Sequence, residues 1–365
     1  MSLIVGWDVG GVHTKAAALE YESGAVPDVR VVARPFEIWR AKDRLPDLLR
    51  KVLAELTDRP PQAMALTMTA ELSDVFRTKR EGVRFVLDSV GAAFPEIPVY
   101  VLSLAGEWVP RAEAYGRPLD FAADNWLATA LYAADVYRDA LVLDVGSTTT
   151  DVIPVRDGQV AALGRTDLDR LLHGELVYTG VLRTPLAAIV RSVPLRGRFC
   201  PVSSEYFAVT GDVYLVLGRI RPEDYTCPTP DGRPPTAEFA RERLARLVCA
   251  DVEELTPAEV DALAAYVYES QLWQLEAAVR QVRSRLGDRA DLPVLPLGAG
   301  AFLAEEVARR IGLPLLDLPP AWGPAGGRVA PCVAAAYLLR SAVQLGSIAS
   351  RRHFPSSGEP NLSSH

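Results

Sequence analysis

Two stretches of the chain, 3–18 and 140–153, repeat one pattern of apolar and polar positions. Each has an apolar run of strand length, then Asp-x-Gly with small or hydroxyl residues, then a second apolar run. This pattern predicts a strand, a tight turn and a second strand. The positions that coincide when the stretches are aligned are Asp8 with Asp144, Gly10 with Gly146, and Thr14 with Thr150. Because the same device occurs twice, we expect two related lobes.

The remaining pattern predicts strands and helices in mixed order, which favours an α/β fold. Further strands are expected at 29–36, 63–69, 99–102, 159–163 and 292–297. Helices are expected at 42–56, 122–137 and 236–286, and a last helix follows the glycine-rich segment at 298–303 and ends at 311. Thr256 and Glu259 form a capping-box pattern at a helix start. The expected divisions are a first lobe at 1–135, a second lobe at 136–350 with an insert at about 190–287, and a disordered polar tail at 351–365.

Composition and charge narrow the class of protein. The chain has 365 residues, 49% of them hydrophobic and 23% charged, which is ordinary for a globular protein of two domains or one duplicated unit. A net charge of -7 leaves no basic field for nucleic acid or an anionic membrane. The four cysteines are widely spaced, without the CxxC pairs typical of metal sites. We identify neither a signal peptide nor an apolar run long enough to span a membrane. We expect a cytoplasmic protein with small-molecule partners and leave homo-oligomerisation open.

The two predicted hairpins have the chemistry of phosphate-binding turns. A glycine-rich turn directs several backbone N–H groups into one concavity, and hydroxyl side chains add donors for phosphate oxygens. The candidate phosphate-binding residues are Gly10, Gly11, Thr14, Lys15, Gly146, Ser147, Thr148 and Thr149. Two such turns across a cleft would hold a polyphosphate, with Asp8 and Asp144 holding Mg²⁺ through water. Alternatively each Asp-x-Gly is only a turn, but the second matching copy favours phosphate binding.

Two further features bear on the same chemistry. Lys15 follows the first turn where Asp151 follows the second. The lysine is a candidate for neutralising an oxyanion, and the aspartate for ordering a metal-bound water or accepting a proton, unless both face solvent. Gly298 and Gly300 lie between a predicted strand and a predicted helix, where a ligand can lie flat on the backbone. A helix start there would favour anionic groups.

Several longer motifs make the chain similar to a known superfamily. They are Gly6-Trp7-Asp8-Val9-Gly10-Gly11, Thr67-Met68-Thr69-Ala70-Glu71-Leu72, Asn125-Trp126-Leu127-Ala128-Thr129-Ala130, Gly174-Glu175-Leu176-Val177-Tyr178-Thr179-Gly180 with Arg183-Thr184-Pro185, and Thr210-Gly211-Asp212-Val213-Tyr214 with Asp231-Gly232-Arg233-Pro234. Together with the two turns and the glycine loop, they resemble the actin, sugar kinase and Hsp70 superfamily. Within it the chain is similar to the hydantoinase/oxoprolinase branch, and there to small proteins linked to tetrahydromethanopterin and methanofuran C1 metabolism. The resemblance covers about 3–339.

The resemblance implies a two-lobed, duplicated, ribonuclease H-like fold of the actin-like ATPase type, with a helical insert in the second lobe. It also implies an alkyltransferase that uses Mg²⁺ and joins an aminomethylfuran methyl diphosphate to a tyramine-type phenol, releasing pyrophosphate. An ATP-dependent hydantoinase/oxoprolinase-like hydrolase or small-molecule kinase remains the alternative, and a non-catalytic nucleotide switch is a third. Ala299 adds a methyl group where kinases usually have paired glycines, which counts against ATP.

The same resemblance gives candidates for handling the two substrates. The phenol has an ordinary pKa of about 10 and needs a proton acceptor. Candidates for that acceptor are Glu71, Asp74 and Glu175, each of which could instead be a helix cap or a solvated carboxylate. Arg183 is a candidate for holding an acidic substrate group through two hydrogen bonds. Candidates for stacking on the furan or the phenol are Trp7, Trp126 and Tyr178, where the alternative is a position in the core.

Overall fold

The computed structural model describes residues 2–21, 28–287, 291–344 and 346. Its strands are β1 (Ser2–Val9), β2 (His13–Tyr21), β3 (Asp28–Pro35), β4 (Ala63–Met68), β5 (Val99–Leu102), β6 (Trp108–Pro110), β7 (Ala140–Val145), β8 (Thr150–Arg156), β9 (Gln159–Val160), β10 (Leu176–Val177), β11 (Ser192–Leu195), β12 (Arg198–Pro201) and β13 (Val294–Leu297). Its α-helices are α1 (Ile38–Ala41), α2 (Leu45–Leu56), α3 (Lys79–Ala93), α4 (Arg111–Ala114), α5 (Asn125–Val136), α6 (Asp167–Leu172), α7 (Thr210–Val216), α8 (Ala237–Arg246), α9 (Pro257–Ser284), α10 (Ala301–Ile311), α11 (Gly323–Gly326) and α12 (Ala330–Gln344). The predicted tail, 351–365, lies outside the described residues.

The chain divides into two compact units. Unit 1 comprises Met1–Val142, Ile153–His173 and Leu316–His365, and unit 2 comprises Leu143–Val152 and Gly174–Leu315. Strands β7 and β8 therefore contribute residues to both units. Within the described part of the chain, no helix is both long and apolar enough to cross a membrane.

Unit 1 is built on a six-stranded sheet in the order β3-β2-β1-β4-β5-β6. Strand β1 is antiparallel to β2 and parallel to β4, which is in turn parallel to β5. Strands β1 and β4 are buried almost throughout, as expected for central strands covered on both faces. Both of these strands end at the same edge of the sheet because they run parallel.

Alternation along β1 separates the two faces of this sheet. Trp7 and its odd-numbered neighbours belong to the core formed with α2 and α3, where Trp7 packs against Phe94. On the other face the strand meets α12. A Cβ at Gly6 would overlap the carbonyl oxygen of Cys332, so only glycine allows this close approach. Helix α12 also packs against α5.

Two predicted elements of unit 1 differ from the structure. The predicted helix at 42–56 begins as an α-helix only at Leu45, with Pro46 in its first turn, where the missing N–H of proline costs no hydrogen bond. The predicted strand at 159–163 is reduced to β9 (Gln159–Val160). The first residues of β8, Thr150 and Asp151, pair with β10 instead, so β9 does not extend along that edge.

Unit 2 has strands in the order β10-β8-β7-β13, with the β11–β12 hairpin and helices α7 to α10. The helical stretch predicted at 236–286 is two helices, α8 and α9, because the chain turns at Cys249 with a positive φ of 58°. The capping box predicted at Thr256 and Glu259 is confirmed. Each side chain accepts a hydrogen bond from the backbone N–H of the other residue, which fixes the start of α9.

Candidate functional site

The first predicted phosphate turn joins β1 to β2 in unit 1. The N–H of Gly10 donates to the carbonyl of His13 at 3.0 Å, and a Cβ at Gly11 would meet open space. The side chain of Thr14 is fully buried. Its hydroxyl therefore lies inside the unit, whereas the backbone at Gly11 is open to a ligand.

Asp8 and Lys15 lie opposite each other on β1 and β2, next to this turn. Asp8 is only 2% exposed, and its Oδ2 lies 3.3 Å from the ammonium Nζ of Lys15. The other carboxylate oxygen, Oδ1, has no hydrogen-bond partner. A buried oxygen without a donor marks a position where a ligand or a metal-bound water can be accommodated.

The second turn joins β7 to β8, and it repeats the geometry of the first. The N–H of Gly146 donates to the carbonyl of Thr149 at 2.9 Å, which matches the bond from Gly10 to His13. The two sequence stretches thus form the same strand–turn–strand structure, as predicted. The remaining residues of this turn, Ser147 and Thr148, are half-buried.

The loop at 179–184 is hydrogen-bonded to the second turn. The N–H of Val181 donates to the carbonyl of Gly146 at 2.9 Å, and the N–H of Arg183 donates to that of Ser147 at 2.9 Å. The guanidinium of Arg183 donates to the hydroxyl of Thr148 at 3.1 Å. A Cβ at Gly180 would lie 2.5 Å from the backbone nitrogen of Thr148, so glycine permits the contact. The guanidinium of Arg183 is therefore attached directly to the second turn.

The glycine loop after β13 packs onto the strand that carries Asp144. The N–H of Gly300 donates to the carbonyl of Val145 at 2.8 Å. Gly298 has φ +86°, and a Cβ there would lie 2.5 Å from the Oδ1 of Asp144. Two predicted site elements that are far apart in sequence are thus brought together within unit 2. Positive φ and close approach both require glycine at this position.

Three other predicted residues of unit 2 have different surroundings. Glu175 is fully buried and forms an ion pair with Arg285. Asp151 lies on β8 beside Leu176 of β10. Tyr178 is 61% exposed, so it is not a core residue. Within unit 2, Glu175 therefore already has a cationic partner.

Glu71 of unit 1 is a buried carboxyl group without a satisfied oxygen. It is 1% exposed, and neither of its carboxyl oxygens has a hydrogen-bond partner. The N–H groups of Glu71 and Ala123 lie close enough to favour the charged form, but not at hydrogen-bond geometry. Burial raises the pKa of Glu71 from 4.5 to about 8, with a further increase from Asp167 and an opposing effect from Lys79. Of the other predicted acceptors, Asp74 is exposed.

Asp124 is a buried carboxyl group that sequence reasoning missed. Its Oδ1 accepts a hydrogen bond from the N–H of Met68, at the end of β4, at 2.7 Å, and its Oδ2 has no partner. Burial raises the pKa of Asp124 well above its ordinary value, and the charges of Glu71 and Asp8 raise it further. The helix predicted at 122–137 includes Asp124, so the sequence gives no sign that this residue precedes the helix. In the structure α5 begins at Asn125, after Ala123 with a positive φ of 53°.

The donors present are compatible with Mg²⁺ held mainly by water and substrate. Among the residues that the structure describes, no three His, Cys, Asp or Glu side chains are grouped so that they could hold a metal ion. Mg²⁺ commonly keeps several waters and binds through one or two carboxylates together with substrate phosphates. Asp8, with one unpartnered oxygen beside a phosphate-type turn, fits that mode of binding.

We expect Glu71→Gln to change how stability depends on pH. Between about pH 4.5 and 8 the folded protein keeps a proton on Glu71 that the unfolded chain has released. The free energy of unfolding of the wild type therefore falls as pH rises through this window, by up to about 1.4 kcal/mol per pH unit from this group. Glutamine has no such proton, so the variant should gain stability relative to the wild type at pH 8 but not at pH 4.

Urea denaturation at these two pH values, with Glu96→Gln at an exposed position as the control substitution, measures the effect. A constant difference in unfolding free energy between Glu71→Gln and the wild type at both pH values would contradict a raised pKa.

Comparison with known proteins agrees with this geometry. The hydantoinase/oxoprolinase family matches residues 62–341. A protein of Methanocaldococcus jannaschii named (4-{4-[2-(gamma-L-glutamylamino)ethyl]phenoxymethyl}furan-2-yl)methanamine synthase is 40% identical over 284 residues, 78% of this chain and 82% of the relative. The protein of the same name from Methanococcus vannielii is 38% identical over 153 residues, 42% of this chain and 68% of the relative. Both names are those of enzymes.

A solved structure supports the fold. The nucleotide-free structure of acetone carboxylase matches with a TM-score of 0.57 at 12% identity, over 92% of this chain and 70% of that one. At this identity the likeness concerns the fold alone. The duplicated turns, the sheet order and the family match confirm the predicted actin-like α/β fold and the predicted resemblance. The chain therefore belongs to the hydantoinase/oxoprolinase family.

Proposed function

We propose that this protein transfers an aminomethylfuran methyl group from its diphosphate to the phenol oxygen of a tyramine-type acceptor. The bond between the methylene carbon and the diphosphate oxygen breaks, and an aryl ether bond forms at the same carbon. The products are the ether, pyrophosphate and the phenol proton. The observation that carries this proposal is the 40% identity to a relative whose name describes a phenoxymethyl furan methanamine.

The turns at Gly10 and Gly146 support a diphosphate substrate. Each turn has a cation nearby, Lys15 in unit 1 and Arg183 in unit 2. These groups would stabilise the negative charge that develops on departing pyrophosphate, which is commonly the largest contribution that a site of this kind makes. Mg²⁺ held through water, at Asp8 in unit 1 or at Asp144 in unit 2, would supply further neutralisation of that charge.

Glu71 is the acceptor for the phenol proton in this proposal. Its pKa of about 8 lies much nearer to that of a phenol than the pKa of an ordinary carboxyl group does. A general base works best when its pKa is near the working pH. Glu175, the other buried candidate, is already paired with Arg285 and is assigned a structural role.

The purified protein should form the ether without ATP. We expect Mg²⁺, the aminomethylfuran methyl diphosphate and tyramine or γ-glutamyltyramine to give equimolar ether and pyrophosphate, followed by mass spectrometry. ATP should neither be consumed nor increase the rate. Hydrolysis of ATP without any ether product would overturn the proposal and favour the ATP-dependent hydrolase or kinase reaction instead.

A further inference from the structure

The ends of β1 and β4 in unit 1 carry three buried carboxyl groups, Asp8, Glu71 and Asp124, which we call the acidic cluster. Their placement follows from the sheet, because Asp8 lies beside Thr67 in the β1–β4 register and Asp124 accepts from the N–H of Met68. Each member is at most 2% exposed. The three residues are therefore neighbours in a place from which bulk water is excluded.

Every member of the acidic cluster has a carboxyl oxygen without a hydrogen-bond partner. The unpartnered atoms are Asp8 Oδ1, Asp124 Oδ2 and both Glu71 oxygens. Buried polar atoms are nearly always satisfied, so each of these oxygens is a position where a donor from a ligand or from water can be accommodated. Carboxylate oxygens without a partner accept hydrogen bonds, so a cation with N–H or O–H donors suits Asp8 Oδ1 and Asp124 Oδ2, whereas Glu71, with a pKa of about 8, keeps its own proton at neutral pH.

Two lysines near the acidic cluster already pair with carboxylates. Lys15 lies on Asp8 Oδ2, and Lys79 lies 3.2 Å from Asp167. The N–H of Met68 is a neutral donor to Asp124 Oδ1. Asp124 is the most completely buried member of the acidic cluster. Its second carboxyl oxygen, Oδ2, has no hydrogen-bond partner.

We propose that Asp124 binds the primary ammonium group of the furan substrate through its unpartnered Oδ2. Asp8 and Glu71, the other members of the acidic cluster, lie next to this position. This inference rests on the proposed function, in which the furan carries an aminomethyl group. An ammonium group has three donors, which suits a set of unsatisfied carboxyl oxygens. At a buried position such a charge-assisted hydrogen bond is stronger than at the surface.

The position is consistent with the chemistry of the transfer. The amine and the reacting methylene are substituents of one five-membered ring, so the site for one lies close to the site for the other. Asp8, at the phosphate turn, and Glu71, the proposed proton acceptor, both interact electrostatically with Asp124. An ammonium group held by Asp124 would orient the methylene carbon between the diphosphate and the phenol.

The test compares two diphosphates on two proteins. One substrate is the aminomethylfuran methyl diphosphate, and the other carries a neutral hydroxymethyl group in place of the aminomethyl group. Asp124→Asn keeps an oxygen that can accept from Met68, so the fold should be retained. We expect the variant to lose about 50-fold in kcat/KM on the amine substrate and only a few-fold on the neutral analogue. The wild type should prefer the amine by a similar factor.

Asp120→Asn, in unit 1 and with a side chain that is 48% exposed, is the matched control and should behave as the wild type with both substrates. Equal losses on both diphosphates in Asp124→Asn would overturn the inference. The inference would also be overturned if Asp124→Asn needed more Mg²⁺ than the wild type, by the same factor with both diphosphates. That result would show that Asp124 binds the metal. If Asp124→Asn does not fold, the absence of a wild-type preference for the amine overturns it as well. Failure of the proposed function is distinct, since the wild type would then form no ether from either compound.

Discussion

Replacing Asp8 or Asp144 with asparagine should lower kcat for ether formation by about 10³-fold, the loss typical when one preorganised electrostatic contact to the transition state is removed. Asp8 contributes the carboxylate beside the first turn, with Lys15 on one oxygen and the other oxygen unpartnered. Asparagine has the same shape but no charge. It therefore cannot hold hydrated Mg²⁺ in place as pyrophosphate departs.

The expected change lies in kcat more than in KM, because the charge is greatest in the transition state. Steady-state kinetics with the furan diphosphate, together with circular dichroism to verify folding, measures it. Asp47→Asn, in an exposed ion pair with Arg50 on α2, is the control and should leave kcat unchanged. Wild-type kcat in Asp8→Asn would remove Asp8 from the reaction.

A second large effect is expected for Arg243→Met, this time on stability. Arg243 and Asp212 are both 0% exposed and form two hydrogen bonds at 2.8 and 2.7 Å, while Asp231 accepts from the same guanidinium at 3.1 Å. Burial raises the pKa of Asp212, and Arg243 opposes that increase. Removing the guanidinium leaves a buried carboxyl group without its main partner, which typically costs about 3–5 kcal/mol of unfolding free energy.

Urea denaturation gives the comparison directly. Arg241→Met provides a matched control on the same helix, since Arg241 pairs with Asp261 where both side chains are substantially exposed. Exposed pairs contribute about 0–1 kcal/mol, so this control should change the unfolding free energy little. The double variant Arg243→Met with Asp212→Leu should lose less than Arg243→Met alone, because no buried charge remains. Similar losses in Arg243→Met and Arg241→Met would contradict this account.

The repeated hairpins could be predicted from sequence because their signals are local. The apolar runs around each Asp-x-Gly lie within about twenty consecutive residues, so the pattern is visible in a short window of sequence. The matching backbone hydrogen bonds made by the N–H groups of Gly10 and Gly146 follow from it. The capping box at Thr256 is local in the same way. These features need no knowledge of what else packs nearby.

Contacts between distant segments could not be predicted from one sequence. The pairing of Glu175 with Arg285 joins residues 110 positions apart, so no local signal in the sequence could indicate it. Asp124 was missed for a similar reason, since its partner Met68 lies 56 positions away. Gly298 could be recognised as part of a glycine loop, but its contact with Asp144 depends on how β13 joins the sheet.

The packing of α12 on β1 at Gly6 has a consequence for how the protein emerges from the ribosome. The central sheet of unit 1 is covered by a helix that is synthesised more than 300 residues after the strand it contacts. Unit 2, by contrast, is formed by one continuous stretch and the short segment Leu143–Val152. Domains generally fold as their residues become available during translation. Unit 2 should therefore be complete first, while the face of the unit 1 sheet that α12 covers stays exposed until α12 has been synthesised.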